Sequence, residues 1–334
     1  MDDLTIIPSL EAALQARADL FDERYESAFR LFNGFYEGCP NLAVDLYGRT
    51  VVIHNYADPP EDGFPYVDMA RIVLRSSLPW LRTAILKTRN SPDPAERRGQ
   101  IIAGEEPDRK IREHGIWYAL DLTLNRDASL YLDTRNLRKW AIDNLAGKTV
   151  LNTFAYTGSL GVAAMGGGAK RVLHLDLNRS FLNVAKTSYT LNGFPITRSD
   201  FISADFFPGI ARLKRRGELF DCVFLDPPFF STTDKGKVDL AADSKRLINK
   251  VRPLVADGGW LVSVNNALFL SGREYMSMLE DLCADGYLRL ESLVPVPGDF
   301  TGYEGTLVGE FVVDPTPFNH PTKIAVLSAK KKTG

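Results

Sequence analysis

A carboxylate, two prolines and an aromatic ring close one apolar run of this chain. Phe220-Asp221-Cys222-Val223-Phe224-Leu225 leads directly into Asp226-Pro227-Pro228-Phe229. Proline fixes φ and has no N–H, so carbonyls at such a turn meet no competing local donor. The Asp226 carboxylate and the Pro227 carbonyl are then acceptors for the hydrogens of a planar amine or guanine edge, and Phe229 can stack on that base. A plain Pro-Pro turn is the alternative. A second run, Val150-Leu151, opens into Asn152-Thr153-Phe154-Ala155-Tyr156-Thr157-Gly158-Ser159. This is neither a GxGxxG loop nor a Walker loop, and Gly158 marks where backbone approaches a ligand closely at a helix start. Asp176, about 20 residues past that loop, suits bidentate bonding to a ribose diol; the other reading is an N-cap, a task that Asn178 can also perform. Asp205 can accept the amino hydrogens of an adenine that Phe206 covers, or simply cap the next helix.

Such residues work together only if a scaffold gathers the ends of the runs. After residue 133, short apolar β runs (150–153, 172–176, 222–226, 260–264 and a weaker one at 198–203) alternate with helical runs (159–166, 180–191, 206–216 and 240–256). The alternation predicts an α/β fold with a doubly wound, mostly parallel sheet, whose ligand lies beyond the carboxyl ends of the strands. Leu137, Trp140, Ala141 and Leu145 mark a helix before it. A last helix, 274–284, leads to strands 288–294 and 324–327, an expected edge pair with one antiparallel member. The Gly/Pro-rich stretch 295–321 between them is too long for an ordinary connection and is expected to be functional or mobile. Residues 1–132 read as a smaller α+β domain. Helical spacing runs from Leu10 through Phe32 to Asn33-Gly34, a hairpin turns at Tyr47-Gly48-Arg49, and helix 67–78, strands 84–88 and 116–122 and a charged loop 91–100 follow. The expected domains are 1–132 and 133–334.

Composition bounds these readings. The 334 residues are 45% hydrophobic and 25% charged, which rules out collagen-like, disordered and coiled-coil chains. No apolar run approaches the roughly 20 residues of a membrane span, and Met1-Asp2-Asp3-Leu4 lacks the layout of a signal peptide. Cys39, Cys222 and Cys283 cannot all pair and show no metal spacing, so a reducing cytoplasm and no metal site are expected. A net charge of −2 argues against a protein that coats nucleic acid with its whole surface, yet it permits a local basic face. Between residues 71 and 112, ten bases (Arg71, Arg75, Arg82, Lys87, Arg89, Arg97, Arg98, Arg109, Lys110 and Arg112) stand against five acids. The region reads either as a solvated surface or as a groove for an RNA backbone.

The motifs together resemble the class I methyltransferases that use S-adenosylmethionine, and more narrowly the bacterial 23S rRNA methyltransferases of the RlmI and RlmK type. The resemblance runs from about Arg24 to the C-terminus. Gly34-Phe35-Tyr36-Glu37-Gly38-Cys39-Pro40-Asn41-Leu42-Ala43-Val44-Asp45 is similar to a motif of that family's N-terminal module. Tyr131-Leu132-Asp133-Thr134-Arg135 is similar to its Leu-Asp-x-Arg segment, Asn152 to Ser159 to its cofactor loop, and Asp226 to Phe229 to its Asp-Pro-Pro-aromatic signature. The resemblance implies a Rossmann-like catalytic domain, S-adenosylmethionine as cofactor and a base of large-subunit rRNA as substrate. Asn152, Phe154, Tyr156, Thr157 and Gly158 would shape the methionine pocket, with Asp133 and Arg135 near the cofactor's amino and carboxylate groups. Asp176 would hold the ribose, and Asp205 with Phe206 the adenine. Asp226, Pro227, Phe229 and Asn265 would orient a base flipped out of its stack. Asp133 reads equally as an N-cap, Arg135 as a brace, and Asn265 with Asn266 as caps of the following turn. The branch that methylates carbon-5 of cytosine places a cysteine after the fifth strand; here that stretch is Leu261-Val262-Ser263-Val264-Asn265-Asn266, without a thiol. It is similar instead to the guanine-nitrogen branch, where the nitrogen lone pair attacks directly. The stretch before Arg24 leaves no room for the small RNA-binding domain that many relatives carry, so grip on RNA is expected from the basic region or a partner. A methyltransferase for a small molecule or protein, and a silent RNA-binding or assembly protein of the same fold, are the competing readings.

Overall fold

The computed structural model describes residues 6–233, 236–309 and 311–330. The chain divides into two compact units, Met1–Leu132 with Pro297–Glu310, and Asp133–Val296 with Phe311–Gly334. A single cut at 132/133 therefore leaves out one feature, a late segment that returns to the first unit.

In the first unit, α1 (Ile6–Ala16) precedes β1 (Ala28–Asn33), the short α2 (Gly34–Glu37), β2 (Leu42–Tyr47), β3 (Thr50–Asn55), α3 (Phe64–Ser77), β4 (Thr83–Thr88), α4 (Pro94–Arg98) and β5 (Gln100–Ala103). The five strands pair in sequence order, β3 with β4 parallel through α3 and the other neighbours antiparallel. A separate hairpin joins β6 (Lys110–Glu113) and β7 (Ile116–Ala119). The helix expected to continue through Ala28, Leu31 and Phe32 is a strand. A strand buried on both faces carries a near-continuous apolar run whose spacing also fits a helix, and pairing with β2 from Ala28↔Tyr47 to Asn33↔Ala43 decides the matter. Within the expected 91–100 loop, Asp93 caps α4 by accepting the Ala95 N–H at 2.8 Å.

In the second unit come α5 (Arg135–Asn144), β8 (Thr149–Thr153), α6 (Ser159–Gly166), β9 (Arg171–Asp176), α7 (Arg179–Asn192), β10 (Phe201–Ser203), α8 (Phe206–Arg215) and β11 (Phe220–Leu225). A small hairpin of β12 (Phe230–Thr233) and β13 (Gly236–Asp239) follows, then α9 (Leu240–Val251), β14 (Val255–Asn265), α10 (Gly272–Cys283) and β15 (Leu288–Leu293). The chain passes through α11 (Gly298–Thr301) in the first unit before ending in β16 (Lys323–Ala329). The sheet order is β10-β9-β8-β11-β14-β16-β15, parallel but for β16. Leu151, Leu173, Val223, Leu261 and Leu327 of its strands pack with Ile210, Leu213, Leu247 and Leu279 of the helices in one buried core. The helix expected over 240–256 stops at Val251, because Pro253 disfavours helical backbone in the residue before it, and β14 begins four residues later.

The 295–321 stretch is accounted for by both units. In the first, Arg17 Nη2 donates to the Asp299 carbonyl at 3.0 Å, Asn33 Nδ2 to the Phe300 carbonyl at 2.6 Å and the Arg30 N–H to the Asp299 carboxylate at 2.8 Å. Arg17 itself is fully buried against Glu37 at 2.9 Å, so the segment is tied into the first unit's interior. In the second unit, Asn319 exchanges two bonds with the backbone of Val296 at 2.8 and 2.9 Å. No helix among the described residues is long and apolar enough to cross a membrane.

Candidate active site

Strand order reverses at β8, which pairs with β9 on one side and β11 on the other. The crevice beyond their carboxyl ends is the expected ligand position in an open α/β sheet. The loop leaving β8 has an unusual backbone: Phe154 and Tyr156 lie at φ +51°, and Gly158 at φ +78°. Left-handed backbone costs a side-chain-bearing residue about 1–2 kcal/mol, and such conformations gather where a ligand is held. Asp176 fixes this loop, with Oδ2 accepting the Tyr156 N–H at 2.7 Å and Oδ1 the Asn178 N–H at 2.7 Å. Asn178 is the cap of α7, accepting from the Ser180 N–H at 2.8 Å, so Asp176 is not. Burial raises the Asp176 carboxyl above its ordinary range, against the pull of those two N–H groups.

Beneath the loop lies a group that sequence reading did not single out. A Cβ on Gly158 would stand 2.6 Å from Ala185 Cβ and 3.1 Å from His174 Cε1, and one on Gly161 only 2.3 Å from the same Cε1. His174 is fully buried, stacked on Phe201 at 4.9 Å, with Nδ1 3.4 Å from Asn152 Nδ2 and Nε2 3.0 Å from the Tyr189 hydroxyl. Burial lowers its pKa to about 3, so the ring is neutral. The signal was present: a histidine within Val172-Leu173-His174-Leu175 must find buried partners. Asn152 is 1% exposed and turned to His174, under the loop. Thr157 is likewise buried, whereas Tyr156 is partly exposed and its ring meets Phe181 edge-on at 4.6 Å.

Phe206 stacks on Phe154 with centroids 4.5 Å apart. Phe206 is buried in the core, so only Phe154 of the pair reaches the surface. Asp205 caps α8 through the Phe207 N–H at 3.0 Å.

At the carboxyl end of β11, burial and the nearby Asp133 carboxylate push the Asp226 carboxyl up to about 7. Asp133 accepts from the Thr322 hydroxyl at 3.0 Å, and Thr134, not Asp133, holds the N-cap position of α5. Arg135 begins that helix, partly exposed. Pro227 is buried, whereas Phe229 is 47% exposed. Asn265 is fully buried, donates to Ser244 Oγ at 2.9 Å and accepts the Ala267 N–H at 2.9 Å, capping the turn after β14, the second of its two readings. Its neighbour Asn266 instead has a buried Oδ1 without a hydrogen-bond partner among the described residues. Cys222 is fully buried, and burial drives its thiol well above the usual range, far from a thiolate nucleophile.

The raised Asp226 pKa has a stability consequence. Folding takes up a proton between about pH 4 and 7, so stability falls as pH rises through that window and levels off above it. Asp226→Asn removes the effect. Its melting temperature should exceed the parent's by on the order of 5 °C at pH 8, with the margin shrinking toward pH 4. A parent that melts higher at pH 8 would contradict the assignment.

The ten bases of residues 71–112 are largely taken up locally. Lys87 is fully buried on the Arg98 and Asn125 carbonyls, and Arg71, Arg89 and Arg109 pair with Asp68, Asp127 and Glu106 at 3.1, 2.8 and 3.7 Å. Arg97 donates to the Ser91 and Pro92 carbonyls, and Lys110 and Arg112 lie over the Trp117 ring. Of the ten, only Lys87 is buried, and Arg71 and Arg109 stay exposed within their pairs.

A family model described as S-adenosylmethionine-dependent methyltransferase matches residues 77–283. A Bacillus subtilis protein named "Putative ribosomal RNA large subunit methyltransferase YwbD" is 31% identical over 287 residues, covering 84% of this chain and 71% of that protein. Ribosomal RNA large subunit methyltransferase I of Photobacterium profundum is 26% identical over 287 residues, covering 85% and 72%. A solved methyltransferase complexed with SAH shares the fold at a TM-score of 0.84, with 22% identity over 98% of this chain and 82% of that one.

Proposed function

The chain belongs to the S-adenosylmethionine-dependent methyltransferase family, and on that premise we propose that it methylates a base nitrogen, guanine favoured, in large-subunit rRNA. The observation that carries the base is the Asp226-Pro227-Pro228-Phe229 turn, a carboxyl with a pKa near 7 beside an exposed ring at the carboxyl end of β11. The names of the relatives, large-subunit rRNA methyltransferases, support the RNA.

The residues fit the cofactor. The loop from Phe154 to Gly158 follows β8 at the switch point, seated through Gly158 on Ala185 and His174, and Asp176 retains lone pairs for ribose hydroxyls beside the two N–H groups it accepts. Asp133 and Arg135 stand at the start of α5 for the amino and carboxylate groups, and Asp205 lies at the adenine side. When bound, S-adenosylmethionine supplies a methyl on a positively charged sulfur, already activated, so the protein's contribution is mainly alignment. Asp226 and the Pro227 carbonyl accept hydrogens from the base edge, Phe229 stacks on its face, and the unpartnered Asn266 oxygen replaces Asn265 as a further acceptor. No thiol is needed: a nitrogen lone pair would take the methyl as its bond to sulfur breaks, and a proton then shed by the base nitrogen would pass to the Asp226 carboxylate.

Asp176→Ala should weaken cofactor binding by about 1–3 kcal/mol, the scale of charge-assisted hydrogen bonds lost. Calorimetry checks this, and an unchanged dissociation constant rejects the role. The function itself is tested by transfer of labelled methyl to large-subunit rRNA, to protein and to metabolites in parallel. Label in RNA alone supports the proposal, and label confined to either other pool overturns it.

A further inference from the structure

At the open edge of the second unit's sheet, a cleft of about 750 Å³ is lined by Arg179, Leu182, Lys186, Arg198, Phe201 and Ser203. The chemistry follows from the geometry. Arg179, Leu182 and Lys186 fall at i, i+3 and i+7 of α7 and so share one face. Phe201 and Ser203 are alternate residues of β10, the edge strand, and share one face of it. Arg198 stands just before that strand. Three cations thus surround the cleft, and no carboxylate lines it. None of the three forms an ion pair with a described carboxylate, although the fold neutralises their neighbour Arg171 with Asp200 at 2.8 Å and Glu218 at 3.3 Å. Lys186 Nζ hangs 5.3 Å over the Phe201 ring, and the outer side of β10 has no strand to occupy its backbone donors.

We propose that this cleft binds phosphodiester groups of the RNA substrate, a site beside the cofactor position and away from the base. The inference rests on the RNA reading above. Ser203 lies beside Asp176 in the sheet, while β11, which carries Asp226, is three strands away, about 14 Å. The phosphates held here therefore belong to nucleotides flanking the target.

The test is binding of a fluorescent single-stranded fragment of large-subunit rRNA across a range of KCl concentrations. It compares the parent with Arg179→Gln/Lys186→Gln/Arg198→Gln and follows cofactor affinity in both as a check on folding. The variant should bind RNA at least about 10-fold more weakly at 0.1 M KCl, with the slope of log affinity against log salt reduced in magnitude by about 2, and its cofactor affinity should match the parent's. Should the triple variant lose cofactor binding, Arg198→Gln alone, in an exposed turn, should weaken RNA about threefold. RNA affinity and slope unchanged in both variants would overturn the cleft while leaving RNA as substrate. A parent that neither binds nor methylates RNA would overturn both. ADP bound by the parent and lost in the variant, with RNA affinity unchanged, would make this a small-anion site and also overturn the proposal.

Discussion

Asp226→Ala should lower the methyl-transfer rate by about 10²–10³, the scale of removing one preorganised polar group at a reacting centre, while the dissociation constant for S-adenosylmethionine stays within about threefold. The split follows from where the residue sits. Asp226 ends β11, on the far side of β8 from Asp176 and Asp205, so its loss leaves the ribose and adenine positions standing. What disappears is an acceptor held on a proline-fixed turn beside Phe229. The environment already resists ionisation there, because burial and Asp133 raise the carboxyl to about 7. Such a cost in stability is characteristic of groups retained for chemistry rather than for folding. Asp226→Asn keeps the shape and one acceptor oxygen, so it should retain more transfer than the alanine variant while gaining stability above pH 7. Single-turnover rates with saturating cofactor separate the two effects. Equal rates for alanine and parent would remove Asp226 from the site.

Gly158→Ala should raise the cofactor dissociation constant by about 10–100-fold. Two costs combine: left-handed backbone at φ +78°, worth about 1–2 kcal/mol for a residue with a Cβ, and a methyl placed 2.6 Å from Ala185 Cβ. Neither Ala185 nor His174 can yield easily, since both are buried and His174 is held between Asn152 and Tyr189. The loop must therefore shift, carrying the Phe154 to Gly158 backbone away from the crevice. Gly193→Ala is the control. Gly193 also lies at positive φ, +70°, but a Cβ there meets nothing within 4 Å. That variant should lose some stability yet bind cofactor like the parent. Similar affinities for all three proteins would mean that the loop does not hold the cofactor.

Much of the catalytic unit was readable because its chemistry sits at the ends of short apolar strands. Asp176 and Asp226 each close a run whose burial is dictated by composition alone, and strand alternation with helices fixes which ends meet. The errors arose where a local pattern admits two structures. Ala28, Leu31 and Phe32 satisfy helical spacing, and only pairing with β2 makes them a strand. Asn265 and Asn266 are chemically identical in sequence, and their roles separate only when the turn after β14 buries one amide on Ser244 and Ala267. Phe206 looked free to cover a ligand because nothing in sequence reports that Phe154 stacks on it. Lys87 counted with the other bases of residues 71–112 in sequence, yet it is buried on backbone carbonyls. Charge counts carry no information about which side of an element a residue occupies. His174 was legible in principle, as a polar residue inside an apolar strand.

The most direct test of the account is mass spectrometry of nucleosides from large-subunit rRNA of cells with and without this protein, with the Asp226→Ala variant used for complementation. Loss of one nitrogen-methylated guanosine, restored by the parent and not by the variant, is the expected result. An unchanged nucleoside profile, or loss of 5-methylcytidine instead, would contradict it.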